Sequence, residues 1–228
     1  IYARYKRLTD NDVAFICGSD EHGVAISLAS KKASISPKEL IDKYDNIIKT
    51  SFEEFGISFD NYSRTSKKIH HETSLELFNT LKEKNLFSLK TSEQFYDTKE
   101  NQFLADRYIS GDCPICNAKD AYGDQCEKCG STLSPEELKN PKSTISDSTP
   151  ILKETKHYYI KLNEFEEFLR NWITVENKDI WKANVTGQVK SWLDSGLKPR
   201  AVTRDLDWGI PVQVDGDDGK VLYVWFEA

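Results

Sequence analysis

Four of the five cysteines in this 228-residue sequence fall into two C-x-x-C pairs, Cys113–Cys116 and Cys126–Cys129, with nine residues between the pairs. Two such turns at this distance can close four thiolates round one tetrahedral Zn²⁺ ion. Gly123 and Gly130 supply backbone freedom beside the turns. A short β knuckle buries too little surface to fold alone, so the metal is expected to be structural. Four protein ligands leave no open position for water, which argues against a catalytic zinc. Redox-active pairs are the alternative, but here the two pairs need each other. Cys17 stands apart in an apolar run and is expected in the core. Thiols in a metal pattern imply a reducing compartment, and the cytoplasm is the expected location.

The length suits one large domain or two small ones, and a chain of this size buries roughly 70% of its unfolded surface. Eleven Phe, ten Tyr and five Trp argue against disorder. No apolar run reaches the about 18 residues of a membrane span, and no signal peptide is visible, so no membrane partner is expected. The net charge of −6 is wrong for a general nucleic-acid binder, and Lys139, Lys142 and Lys156 are too scattered to form a patch. DNA is not an expected partner.

The opening third alternates helix and strand. Ile1–Leu8 reads as a helix end. Val13–Cys17 is a short apolar run that fits a buried parallel strand. A helix from about His22 to Ala33 should follow. Ser36-Pro-Lys-Glu39 is a capping box with proline at the first helical position, opening a helix that Gly56 stops. Asp60–Thr65 suits a short strand and Lys67–Lys84 an amphipathic helix. Such alternation argues for a parallel α/β sheet. From Leu86 to Ile109 the pattern changes to aromatic-rich hairpins. Ser134-Pro-Glu-Glu137 is a second capping box, Pro141–Pro150 a polar loop, and His157–Leu162 a strand. Helices are predicted at Glu164–Trp172 and about Val185–Leu193, then strands at Pro211–Val214 and Lys220–Phe226. The picture is an α/β domain interrupted by a mixed α+β insertion that carries the knuckle.

Two segments offer site residues. Gly18-Ser-Asp-Glu-His-Gly23 lies at the carboxyl end of a predicted parallel strand, where ligands bind in open α/β sheets. Asp20 there can receive a substrate ammonium group or cap the next helix. His22 can serve as a base or simply start that helix. Trp225, in Tyr223–Ala228, can wall a pocket or fill a core. His70 and His71 are adjacent on a helix, point to different faces and do not make a metal pair. His157 carries no signal. No P-loop, G-x-S-x-G or G-x-G-x-x-G motif occurs.

Five collinear stretches then carry a resemblance: Cys17–Gly23, the Cys113–Gly130 knuckle, Phe103-Leu-Ala-Asp-Arg107, Arg204-Asp-Leu-Asp-Trp-Gly-Ile-Pro211 and Tyr223-Val-Trp-Phe-Glu-Ala228. Together they resemble the bacterial-type methionyl-tRNA synthetases, a class I aminoacyl-tRNA synthetase family, in order through nearly the whole chain. The resemblance implies a Rossmann-type catalytic domain split by a connective peptide with a zinc knuckle. Residues 1–85 would be the first part of the catalytic domain, 86–205 the connective peptide, and 206–228 the return into the catalytic domain. It implies ATP-dependent activation of methionine to methionyl-adenylate, with Mg²⁺, and transfer to tRNA(Met).

Residue by residue, the resemblance makes Asp20 the carboxylate that holds the α-amino group of methionine. Trp225 becomes the aromatic against the methionine side chain, and Ala228 a small residue of that pocket. Cys113, Cys116, Cys126 and Cys129 become the zinc ligands. Glu227 stands where the family usually has Asp, a change that adds a methylene. The H-I-G-H-like and K-M-S-K-S-like motifs are missing. With no Met anywhere and an apolar end, the sequence reads as an internal fragment, expected to form negligible adenylate alone. The competing expectation is a free-standing synthetase-like zinc module that docks tRNA or protein.

Overall fold

The computed structural model describes residues 1–104, 106–131 and 133–228. Ala105, inside the Phe103–Arg107 stretch, lies outside the described residues. After helix α1 (Tyr2–Leu8) come strand β1 (Ile16–Ser19), helix α2 (Val24–Ala33) and helix α3 (Pro37–Glu54). Strand β2 (Asn61–Arg64) and helix α4 (Lys68–Glu83) complete the opening third. β1 and β2 pair in parallel, with Cys17 opposite Tyr62. The α3 start is the capping box the sequence predicts: Ser36 Oγ accepts from the Glu39 amide, and the Glu39 carboxylate accepts from the Ser36 amide. That reciprocal pair satisfies two amides that a helix start leaves without partners.

The predicted burial of the first strand is corrected. β1 pairs with β2 on one side only among the described residues, so Ile16 is 69% exposed and Cys17 is half-buried rather than core. Ile1, just before α1, and Tyr5 and Leu8 on it are exposed as well.

The middle of the chain is β-rich. Strand β3 (Phe87–Asp97) turns back through β4 (Gln102–Phe103) and pairs from Phe87 to Tyr96 with β8 (Ile151–Ile160). The sequence pattern placed only the second half of β8 in a strand. Its first half alternates poorly because Leu152, Lys153 and Glu154 are all exposed. Strands β5 (Ile109–Asp112), β6 (Ala121–Tyr122) and β7 (Lys139–Ser143) form a small antiparallel sheet round the cysteines. β7 takes the first residues of the predicted polar loop, since Ile109 and Ser110 of β5 supply its ladder partners.

Helices α5 (Glu166–Asn171) and α6 (Ala183–Asp194) follow, α5 running on into a widened turn at Trp172–Glu176. Strands β9 (Arg200–Ala201), β10 (Thr203–Arg204), β11 (Pro211–Val214) and β12 (Asp217–Leu222) lead to helix α7 (Val224–Glu227). The predicted final strand is thus corrected too: it ends at Leu222, and the chain turns into one helical turn that carries Trp225.

Two cores hold these pieces. One gathers Leu104, Tyr108, Ile109, Ala121, Leu133 and Leu138 round Cys113 and Cys126, with Val24 and Leu28 of α2 packed on it. The other joins α4, β3 and the last strands through Phe78, Phe87, Val202, Ile210 and Leu222, with Phe226 of α7 against it. Below the second core sits a charged knot. Lys220 Nζ lies 2.5 Å from Asp205 Oδ1, and the fully buried His157 places Nε2 2.9 Å from Asp205 Oδ2. The pairing answers the cost of burying each charge alone.

Candidate functional site

The Asp20–Gly23 turn leaves β1 with its polar groups sorted by direction. Asp20 is exposed, whereas Glu21 and His22 are buried. The Glu21 carboxylate takes hydrogen bonds from Ser19 Oγ (2.8 Å), Arg64 Nε (2.7 Å) and Ser66 Oγ (2.5 Å). Its backbone carbonyl accepts from Trp208 Nε1 at 2.7 Å. Glu21 therefore fixes the turn from inside. Gly23 closes it at φ +90, a conformation that side chains rarely adopt, and a Cβ there would lie 3.3 Å from Val224 of α7.

Asp20 does not cap α2. The N-cap is Gly23, with no side-chain bond, and Asp20 Oδ1 faces the His22 amide at 3.5 Å. Its carboxylate is left at the rim of a cleft of about 380 Å³. Trp225 lines the same cleft and is 79% exposed, so the core reading of this residue falls. Arg107, Asp124, Arg204 and Trp208 form the other walls. Two of these come from the cysteine lobe, where Arg107 Nε pairs with Asp124 Oδ2 at 3.1 Å. Ala228 is exposed, follows the helix of Trp225, and does not line this cleft. Partial burial raises the Asp20 carboxyl above its usual range against the opposing pull of the His22 amide, and the charge of Glu227 adds to the rise.

Sequence reasoning missed what lies behind that cleft. Glu227, whose side chain is fully covered, joins two histidines: Oε1 meets His22 Nδ1 at 2.7 Å and Oε2 meets His70 Nε2 at 2.5 Å. His71 makes no bond to Glu227, and its ring lies 5.2 Å from that of His22. Burial, with His22 nearby, pushes His71 below the usual histidine range. Glu227 was singled out in the sequence as a longer acid than the family usually has, but nothing near it named its partners, which lie 205 and 157 positions away.

The four cysteines meet as their spacing requires. Their sulfurs all lie within 4.8 Å of one another, with Cys113–Cys129 at 3.9 Å and Cys116–Cys126 at 3.7 Å. Four sulfurs each 2.3 Å from a central ion would stand about 3.8 Å apart. The Cys129 thiol is lowered to about 6, first by the Ser131 hydroxyl and then by the Ser131 amide. Cys113 is lowered as well, chiefly by the Cys116 amide. Against the pull of the Ala118 amide, burial and the neighbouring thiols raise Cys116 to about 11. The cluster can hold a metal ion, and its donor set is that of a closed structural site. Among the described residues no other group of three or more possible ligands converges, and no helix is long and apolar enough to cross a membrane.

Three comparisons bear on this geometry. The model of the family described as tRNA synthetases class I (M) matches residues 1–228. The methionine–tRNA ligase of Flavobacterium johnsoniae is 63% identical over all 228 residues, which cover 32% of its length. That of Bacteroides fragilis is 62% identical, with 33% of its length covered. The chain thus spans about a third of the curated relatives it matches. Among solved structures, the Mycobacterium tuberculosis methionyl-tRNA synthetase in complex with methionyl-adenylate superposes with a TM-score of 0.69 at 23% identity. That likeness covers 99% of this chain and 39% of the other, and it concerns the fold.

Proposed function

Because this chain belongs to the class I tRNA synthetases (M), we propose that it supplies the amino-acid pocket of a methionine–tRNA ligase. One observation carries the reading: Asp20 and Trp225, from opposite ends of the chain, line a single cleft. A carboxylate at the rim can take the α-ammonium of an amino acid by a charge-assisted hydrogen bond. An indole face beside it suits a soft, polarisable thioether. Ala228, which does not line the cleft, has no part in this reading. The cleft is of a size for one small ligand.

In this reading the whole protein activates methionine with ATP and Mg²⁺ to methionyl-adenylate and passes it to tRNA(Met). The work of the residues described here is binding and orientation of methionine. The catalytic domain would be Rossmann-type, formed from residues 1–85 and 206–228, and residues 86–205 would be its connective peptide. Cys113, Cys116, Cys126 and Cys129 would hold a structural Zn²⁺, which supplies cohesion to the lobe and no chemistry to the reaction. Cytoplasmic location follows from the same reading.

The test is methionine-dependent ATP–pyrophosphate exchange by the full-length protein, with leucine and isoleucine as competitors. Exchange with methionine alone is the expected result. Exchange driven equally by a branched amino acid would refute the pocket.

A further inference from the structure

Helix α7 sends consecutive side chains three ways. Trp225 projects into the cleft, Phe226 packs on Phe78 and Phe87 with ring centroids 6.4 and 6.0 Å away, and Glu227 is buried. A single helical turn has too few hydrogen bonds to hold its own direction. Here the Glu227 amide lies 3.3 Å from the Tyr223 carbonyl and the Ala228 amide 3.0 Å from that of Val224. The direction of Trp225 must therefore come from tertiary contacts.

Phe226 supplies an apolar contact that tolerates sliding. Glu227 supplies two directed ones. Its carboxylate reaches His22, two residues beyond Asp20, and His70, in the first turn of α4. His22 is held in turn, edge-on to Trp208 at 5.8 Å, while Trp208 donates to the Glu21 carbonyl. Burying a carboxylate is costly unless its oxygens are bonded, and here both are.

Resting on the methionine-pocket reading, we propose that Glu227 is a positioning residue: it fastens the helix of Trp225 to the turn of Asp20. It thereby sets the gap between the group that takes the ammonium and the ring that meets the side chain. Glu227 itself does not touch the substrate. Its reach matters because one carboxylate spans two imidazoles on separate elements.

The test uses pyrophosphate exchange by the full-length protein, with methionine and ATP varied separately. Glu227→Gln turns one acceptor into a donor and breaks the match with one imidazole. KM for methionine should rise about ten- to a hundredfold, as expected when a binding group is misplaced by an ångström or so. The kcat at saturating methionine and the KM for ATP should stay within about twofold. His70→Gln removes the more exposed leg and should give the same split, smaller in size. It also keeps the test alive if Glu227→Gln fails to fold. Glu227→Asp, one methylene short, should fall between wild type and Glu227→Gln.

A wild-type methionine KM in both folded variants would overturn the inference. Equal losses in methionine KM, ATP KM and kcat would overturn it as well, since they would mark a merely structural residue. Asp20→Ala in the same assay separates the two layers. If it leaves methionine use intact, the pocket reading fails. If it cripples methionine use while the Glu227 and His70 variants are silent, only the positioning role fails.

Discussion

The cysteine lobe and the Asp20–Trp225 cleft are built by opposite means. The lobe closes over short distances in sequence: Cys113 and Cys129 are 16 positions apart. The cleft closes over nearly the whole chain, with His22 and Glu227 separated by 205 positions. A local site needs only a ligand pattern, and the ion proposed for it would hold the lobe together. A long-range site needs the complete fold and is secured by a buried carboxylate between two histidines. The two meet at the Arg107–Asp124 pair, which belongs to the lobe and walls the cleft.

The largest expected effect breaks the lobe alone. Structural zinc contributes on the order of 10 kcal/mol to small metal domains, so chelation or Cys116→Ser should unfold residues 109–143. Metal analysis should fall from one Zn²⁺ per chain to none, and hydrogen exchange should rise in β5–β7 while β3 and β8 stay protected. Unchanged zinc content and melting in Cys116→Ser would remove the metal from the account.

The next effect breaks the cleft from behind. His22→Ala leaves Glu227 buried with one partner, and leaving a buried acceptor without its hydrogen bond costs about 1–3 kcal/mol. Denaturant melts of the full-length protein should register that loss, with zinc content unchanged. A third prediction concerns pH. An ammonium ligand needs Asp20 ionised, and its carboxyl is raised by burial and by Glu227. Methionine affinity should therefore be full well above that raised value and fall as pH drops through it. Asp20→Asn should flatten the profile. A profile in wild type equally flat would contradict the assignment.

The smallest effect lies in neither region. Ser36→Ala removes the cap of α3 and should cost about 1 kcal/mol in a thermal melt, leaving zinc and methionine binding untouched.

The same contrast explains what the sequence made legible. The knuckle, the capping box of α3, and helices α3 and α4 were readable because each is specified by local spacing. The end of β12 was not. Val221-Leu-Tyr-Val-Trp-Phe226 is apolar at every position, and periodicity cannot tell a buried strand from a strand that becomes a helical turn. Three directions for Trp225, Phe226 and Glu227 follow from that turn, so the exposure of Trp225 was hidden with it. Burial of β1 was overestimated because an apolar run states a preference, while exposure depends on which strands lie beside it. Asp20 was found as a candidate, but setting the helix-cap reading aside needed the position of Gly23 as N-cap. The His22–Glu227–His70 bridge had no local signature at all.

Asp20 and Trp225 are proposed to form one pocket for methionine. The most direct test of that pocket is the Kd of methionine for the full-length protein, measured by calorimetry, in wild type and Asp20→Ala. Removing one partner of a hydrogen-bonded charge pair costs about 3 kcal/mol, so the account predicts a Kd about a hundredfold weaker in Asp20→Ala. A Kd within about twofold of wild type in the folded variant would contradict it.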